Sequence, residues 1–142
     1  MSALYKAENP LRPPEDDELL RLFCRSHRIE LSQDRLALLE SIGKAFSRLP
    51  YENFSKVVSL GDETSAARAR RSPRQVIEQN MELGAGGTCF SLTATLIHLA
   101  RSAGFEATPI LADRHYGTDT HCAMLVHIGG RPHLLDPGFL IT

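Results

Sequence analysis

Tryptophan is absent, cysteine occurs three times, and no apolar run comes near the roughly 20 residues that a membrane helix needs. Cys24, Cys89 and Cys122 are odd in number, far apart and without a CxxC spacing. That excludes a closed disulfide framework and fits a reducing, cytoplasmic setting. The basic-then-apolar order of a secretory leader is missing, because the N-terminal segment is polar and turns acidic between Glu8 and Glu18. Excess charge of either sign is missing too: 16 Lys and Arg face 17 Asp and Glu, for a net charge of -1. No global basic field therefore argues for nucleic acid, and nothing argues for a membrane partner. Internal repeats are absent. At 142 residues the chain is long enough to bury a core without metal or disulfide staples.

What is present is a helical first half and a strand-like end. Pro10, Pro13 and Pro14 keep the lead-in irregular. Leu19, Leu20, Leu22 and Phe23 recur at helical spacing and predict an amphipathic helix over 15–27. A second helix is expected over 32–48, with Ser32 as its N-cap and with Leu36, Leu39, Ile42, Ala45, Phe46 and Leu49 as its apolar stripe, stopped by Pro50. The segment Tyr51-Glu52-Asn53-Phe54 has no clear period and reads as the start of a loop. Residues 61–72, with Arg68, Arg70 and Arg71, read as a solvated loop, the alternative being an anion or cofactor-phosphate contact. Ser72-Pro73-Arg74-Gln75 has the form of a capping box with proline at the first helical position, so a short helix runs to about Leu83. After the turn Gly84-Ala85-Gly86-Gly87, a third long helix is expected over 91–103, with Gly104 as its C-cap. The period then drops to two. Strands are expected over 106–111, 120–128 and 131–136, with a polar loop at 113–119 and a tight hairpin at Gly129-Gly130. Helices first and strands after make the class α+β: a helical region over 1–104 carrying the Cys89 helix and a β-strand region over 105–142, together one compact unit.

The residue types that carry chemistry are Cys89, His121 and Asp136, in the order nucleophile, base and orienting carboxylate. Cys89 opens a helix, where free N–H groups and the helix dipole favour a thiolate, and Gly86 and Gly87 let backbone and substrate come close to the sulfur. The hairpin supplies a geometric check. With Gly129 and Gly130 as turn residues, Ile128 opposes Arg131 and Ala123 opposes Asp136, so Asp136 and His121 are diagonal neighbours on one face. The same count sends Cys122 and His133 to the opposite face, Cys122 into the core. Thr88 and Phe90 flank the nucleophile and shape its pocket. Cys24 reads as a packing residue. His27, His98 and His133 read as structural or solvent-facing, and His115 and Tyr116 as loop residues or a pocket rim. A zinc site of Cys89, His121, Cys122 and Asp136 is the competing chemistry. It is disfavoured by adjacent residues on opposite strand faces and by the lack of CxxC or HxxxH spacing, so no metal is expected.

At these residues the chain resembles the arylamine N-acetyltransferases, which share a Cys-His-Asp core with transglutaminases and papain-like proteases. Leu49-Pro50-Tyr51-Glu52-Asn53-Phe54 is similar to the family's Pro-Phe-Glu-Asn segment, and Gly86-Gly87-Thr88-Cys89-Phe90 to its Arg-Gly-Gly-x-Cys-Phe motif. Thr120-His121 matches its Thr-His pair, and Leu135-Asp136-Pro137-Gly138-Phe139 resembles its Val-Asp-Val-Gly-Phe. The resemblance implies a cysteine-proteinase-like fold, a helical bundle followed by antiparallel strands of an incomplete β-barrel. It implies acetyl-CoA as cosubstrate, a thioester on Cys89, and a small aromatic amine or hydrazine as acceptor. Gly86, Gly87, Thr88, Phe90, Tyr51 and Phe139 would then line the substrate and cofactor pocket.

Departures accompany the match. The motif arginine is Ala85, the acidic residue after Cys-Phe is Ser91, and Pro137 replaces an aliphatic residue. The chain stops at Thr142, where family members continue through the rest of the barrel and a further domain. The last strands would leave an open edge; a homo-oligomer, a partner chain or a shortened gene would each account for it. A Cys-His-Asp trio does not name its substrate, so an amide synthase, a transglutaminase-like enzyme or a peptidase remains an alternative, as does an inactive truncated binding module.

Overall fold

Asp34 decides where the second helix begins. Its carboxylate accepts from the backbone N–H groups of Leu36 and Ala37 at 3.2 and 3.3 Å, while the Ser32 hydroxyl turns to Glu30. The helix therefore starts at Arg35 and not at Ser32, because a carboxylate satisfies the orphan donors of the first turn. The computed structural model describes residues 9–62 and 70–138. Among them the order is α1 (Glu18–Ser26), α2 (Arg35–Phe46), α3 (Phe54–Asp62), α4 (Pro73–Leu83), α5 (Cys89–Ser102), β1 (Glu106–Arg114), β2 (Gly117–Ile128) and β3 (Arg131–Leu135). The class is α+β, with a three-stranded antiparallel sheet in the order β1-β2-β3.

The core joins helices to sheet. Leu19, Leu20, Phe23 and Cys24 of α1 are buried with Leu39, Ile42 and Phe46 of α2, Val76 and Ile77 of α4, and Ala107, Met124 and Val126 of the strands. At the centre lies α5, buried on nearly every side from Leu92 to Ala100 and packed on β1 and β2 as well as α4. Each large apolar side chain removed from water in this way contributes about 1.5–3 kcal/mol. On α2 the rest of the expected stripe is buried and Leu38 joins it, whereas the expected Leu36, in the first turn, is exposed.

Two stretches differ from the sequence expectation. Residues 54–62 form a helix where a loop was expected. The signal was weak because Phe54, Val57 and Val58 are 77%, 60% and 63% exposed, so the segment has no inward apolar stripe at that face, and valine is a poor helix former. What starts it is Glu52, whose carboxylate accepts the N–H of Ser55 at 2.9 Å as well as its hydroxyl. In the sheet, the expected polar loop at 113–119 is mostly strand. β1 and β2 continue to the pair Arg114↔Gly117, with a bulge between Ala112 and Arg114, and the turn shrinks to His115-Tyr116. Thr120 holds this end together, its hydroxyl bonding the Arg114 N–H at 3.1 Å and the Gly117 carbonyl at 2.9 Å.

The other punctuation follows the sequence. Ser72 and Gln75 form both halves of a capping box at α4, which ends on left-handed Gly84. Helix α5 begins two residues earlier than expected, and Gly104, with φ 89°, stands one residue beyond its Ala103 cap. Gly129 and Gly130 both have positive φ, as a two-residue hairpin of this type requires. The register is Ile128↔Arg131 through Met124↔Leu135. No helix among the described residues is long and apolar enough to cross a membrane.

Candidate active site

The site is built where the start of α5 meets the end of β3. Thr88 is the N-cap residue of α5 and Cys89 its first helical residue, so the sulfur sits beside backbone N–H groups that have no partner inside the helix. Cys89 itself is buried.

The loop leading to Cys89 is clamped on both sides of one residue, Gly86. The Gly86 N–H donates to the Glu52 carboxylate at 3.2 Å, and Arg71 donates to the Gly86 carbonyl at 2.5 Å. Arg71 reaches Gln79 on α4 with its other terminal nitrogen at 2.7 Å. Gly87 then pairs in parallel with Tyr51: its N–H donates to the Pro50 carbonyl at 3.1 Å, and its carbonyl accepts from the Glu52 N–H at 3.0 Å. A Cβ on Gly86 would lie 1.6 Å from the Pro50 oxygen. Close approach of chain 50–52 is thus what demands this glycine, rather than room for substrate at the sulfur. Burial pushes the Glu52 carboxyl up, but the Ser55 and Gly86 hydrogen bonds and the Arg71 charge outweigh it and hold the group below its ordinary value. Burial lowers Arg71 as well, and the Glu52 charge opposes that.

On the sheet side, His121 Nε2 stands 2.6 Å from Asp136 Oδ2, with both side chains almost fully buried. The second carboxylate oxygen, Oδ1, accepts from the Gly138 N–H at 3.0 Å, which fixes the rotation of the group. The diagonal relation counted from the hairpin thus ends in direct contact. His121 Nδ1 lies 2.7 Å from an Arg114 terminal nitrogen. A guanidinium can only donate, so Nδ1 accepts, the ring proton sits on Nε2, and it points at Asp136.

Gly138 ties the halves together. A Cβ built on it would lie 3.0 Å from Cys89 Cβ, 3.2 Å from His121 Cε1 and 3.3 Å from Asp136 Oδ1. Three side chains far apart in sequence therefore surround a single point, and that point is open only because residue 138 has no side chain.

The remaining expected residues fall out as follows. Gly86 and Gly87 form the clamped loop, and Thr88 stands at the N-cap position of α5 without a side-chain cap bond. Phe90 beside the nucleophile and Tyr51 on the bridge to Gly87 are exposed, while Phe139 lies outside the described residues. Cys122 is buried on the far side of β2, where its carbonyl accepts from the Thr93 hydroxyl at 3.0 Å and burial raises its thiol. Cys24 is packed in the core with its thiol pushed up to about 11 by burial. Burial lowers both His27 and His98. His133 is exposed, and His115 stacks edge-on against Tyr116 at the β1–β2 turn. Among the described residues no group of three or more His, Cys, Asp or Glu is placed to hold a metal ion.

Arg71 and Arg114 touch this site; the sequence reading offered Arg71 only a solvated loop or an anion contact, and gave Arg114 no role. Arg71 lay in a stretch read as solvated loop, yet it is buried. The arginine of the family motif is Ala85 here, and the guanidinium that touches this loop comes from residue 71. Arg114 lay in what read as a polar loop, and the bulge that aims it has no signature in the sequence.

No protein-family model matches the chain, and no curated protein matches it by sequence. Solved structures do match in fold. Arylamine N-acetyltransferase C from Bacillus anthracis superposes with a TM-score of 0.66 at 20% identity, covering 87% of this chain and 50% of that one. An arylamine N-acetyltransferase from Bacillus cereus, described as having a Cys-His-Glu catalytic triad, superposes with a TM-score of 0.63 at 18% identity over 86% of this chain and 49% of that one. The chain spans about half the length of these structures and shares their fold over most of its own.

Proposed function

We propose that this protein is an arylamine N-acetyltransferase-like acyltransferase that carries an acetyl group on Cys89 from acetyl-CoA to an aromatic amine or hydrazine. The observation that carries the reading is the convergence of Cys89, His121 and Asp136 around Gly138. The shared fold supports the choice of acyl chemistry, and the four ordered sequence motifs support the choice of acyl donor.

In this reading the Cys89 thiol gives its proton to His121, and the helix start stabilises the thiolate. The sulfur attacks the acetyl carbonyl of acetyl-CoA, the carbon–sulfur bond to coenzyme A breaks, and the leaving thiolate takes the proton from His121. An amine then attacks the acetyl-Cys89 thioester. His121 takes a proton from the attacking nitrogen and returns it to the Cys89 sulfur as the thioester breaks. Asp136 keeps the ring in one orientation and stabilises its charged form. Gly86, Gly87, Thr88, Phe90 and Tyr51, with Phe139, are the residues we assign to the surrounding pocket.

The test is mass spectrometry after incubation with acetyl-CoA. A gain of one acetyl group on Cys89, absent in Cys89→Ser and discharged by an arylamine, is the expected result. A folded protein whose Cys89 accepts iodoacetamide but no acetyl group overturns the reading.

A further inference from the structure

We infer that Arg114 is a positioning residue that occupies His121 Nδ1 in the resting site, so that Cys89 can give up its proton to that nitrogen only after this guanidinium leaves. The inference rests on the acyl-transfer reading above and adds a residue to it.

Arg114 is held where it can do this. It follows the β-bulge at the end of β1, pairs with Gly117, and has its N–H fixed by Thr120. From there a terminal nitrogen reaches His121 Nδ1 at 2.7 Å, while Nε2 meets Asp136 at 2.6 Å. With Nε2 carrying the ring proton, Nδ1 is the one basic nitrogen of the ring, and its lone pair points at a donor that cannot accept. Charged and titratable groups that face the ring include Asp136 after β3 and Arg114 of β1, with Cys89 of α5 against the same glycine. Of these only Cys89 has a proton to give that the proposed chemistry uses. For the S–H bond to break and an N–H bond to form at Nδ1, Arg114 has to move aside. The imidazolium so formed would repel the guanidinium, so the displaced state holds once the thiolate–imidazolium pair exists.

An opposite role is physically available. A cation near the sulfur would by itself favour the thiolate, and removing Arg114 would then slow Cys89. The two roles differ in sign, which makes the experiment decisive.

The experiment measures the rate of Cys89 carbamidomethylation by iodoacetamide against pH in the full chain, for wild type, Arg114→Met and Arg114→Lys. It uses no acyl donor: a sulfur–carbon bond forms and iodide leaves. Arg114→Met is expected to react about tenfold faster near neutral pH and to shift its profile to lower pH. Arg114→Lys, which still offers an N–H donor to Nδ1, is expected to return toward the wild-type rate. Arg114→Met that melts like wild type but reacts no faster overturns the proposal. Should Arg114→Met fail to fold, the ring nitrogens of wild-type His121 decide by ¹⁵N NMR. A neutral ring protonated on Nε2 supports the proposal, and an imidazolium at neutral pH sinks it. A faster Arg114→Met protein that still takes no acetyl group leaves this inference standing and removes only the acetyltransferase reading.

Discussion

His121 and Asp136 meet at 2.6 Å across the end of a hairpin, and the carboxylate is held from its other side by the Gly138 N–H at 3.0 Å. One backbone donor thereby sets the angle at which the acid faces the ring, and the same glycine leaves the gap into which Cys89 fits.

Asp136→Asn should keep the fold and lose the chemistry. The amide is nearly isosteric, but it cannot stabilise a charged imidazole and can favour the wrong tautomer. We expect acetyl transfer to Cys89 to slow by on the order of 10²–10⁴, with circular dichroism unchanged. Single-turnover labelling by acetyl-CoA measures it.

Three glycines should respond to alanine in a graded way. Gly86→Ala places a methyl against the Pro50 carbonyl at 1.6 Å and should cost about 3 kcal/mol or more, or prevent folding. Gly138→Ala crowds Cys89, His121 and Asp136 at 3.0–3.3 Å and should cost about 1–2 kcal/mol while slowing Cys89 chemistry more than its stability loss explains. Gly61→Ala, in α3 with nothing within 4 Å, should be neutral or stabilising by up to about 1 kcal/mol. Urea unfolding together with iodoacetamide rates separates the three.

Arg71→Ala would leave the Gly86 carbonyl without this donor and Glu52 without its nearby cation. We expect a loss of about 2–4 kcal/mol, with Arg71→Lys intermediate because an ammonium cannot span both Gly86 and Gln79. Thermal melts of the two variants check the order.

Cys24 should stay unmodified in the folded protein and react on unfolding, since burial raises its thiol above its ordinary value to about 11. The folded group has the higher value. Its contribution is therefore complete below about pH 9 and is lost as pH rises toward and past 11, because the unfolded chain loses its proton first. The loss should total about 2–3 kcal/mol. Urea titrations between those pH values should show falling stability, and Cys24→Ala should flatten that slope. A slope unchanged by Cys24→Ala would contradict this assignment.

Much of the site was legible because two of its members lie on a short hairpin. Gly129-Gly130 sets a register, the register assigns faces, and the faces bring Asp136 toward His121. The start of α5 was legible within two residues, because Gly-Gly ahead of an apolar helix marks it. Where an element depends on contacts distant in sequence, reading failed. Helix α3 has exposed valines, and its first turn is capped by Glu52, whose carboxylate also serves Gly86. Arg71 gains its role only when Glu52, Gln79 and Gly86, from three segments, come together around it.

Local pattern alone determined the helix-then-strand order, the α4 capping box, the hairpin register and the residue types Cys, His and Asp, because these follow from periodicity and turn stereochemistry within a few residues. Tertiary structure decided that the three surround Gly138, that Arg71 clamps the loop before the nucleophile, and that Arg114 sits on the imidazole. Those contacts join segments whose distance in the chain carries no information about their distance in space, and packing around α5 is what brings them together.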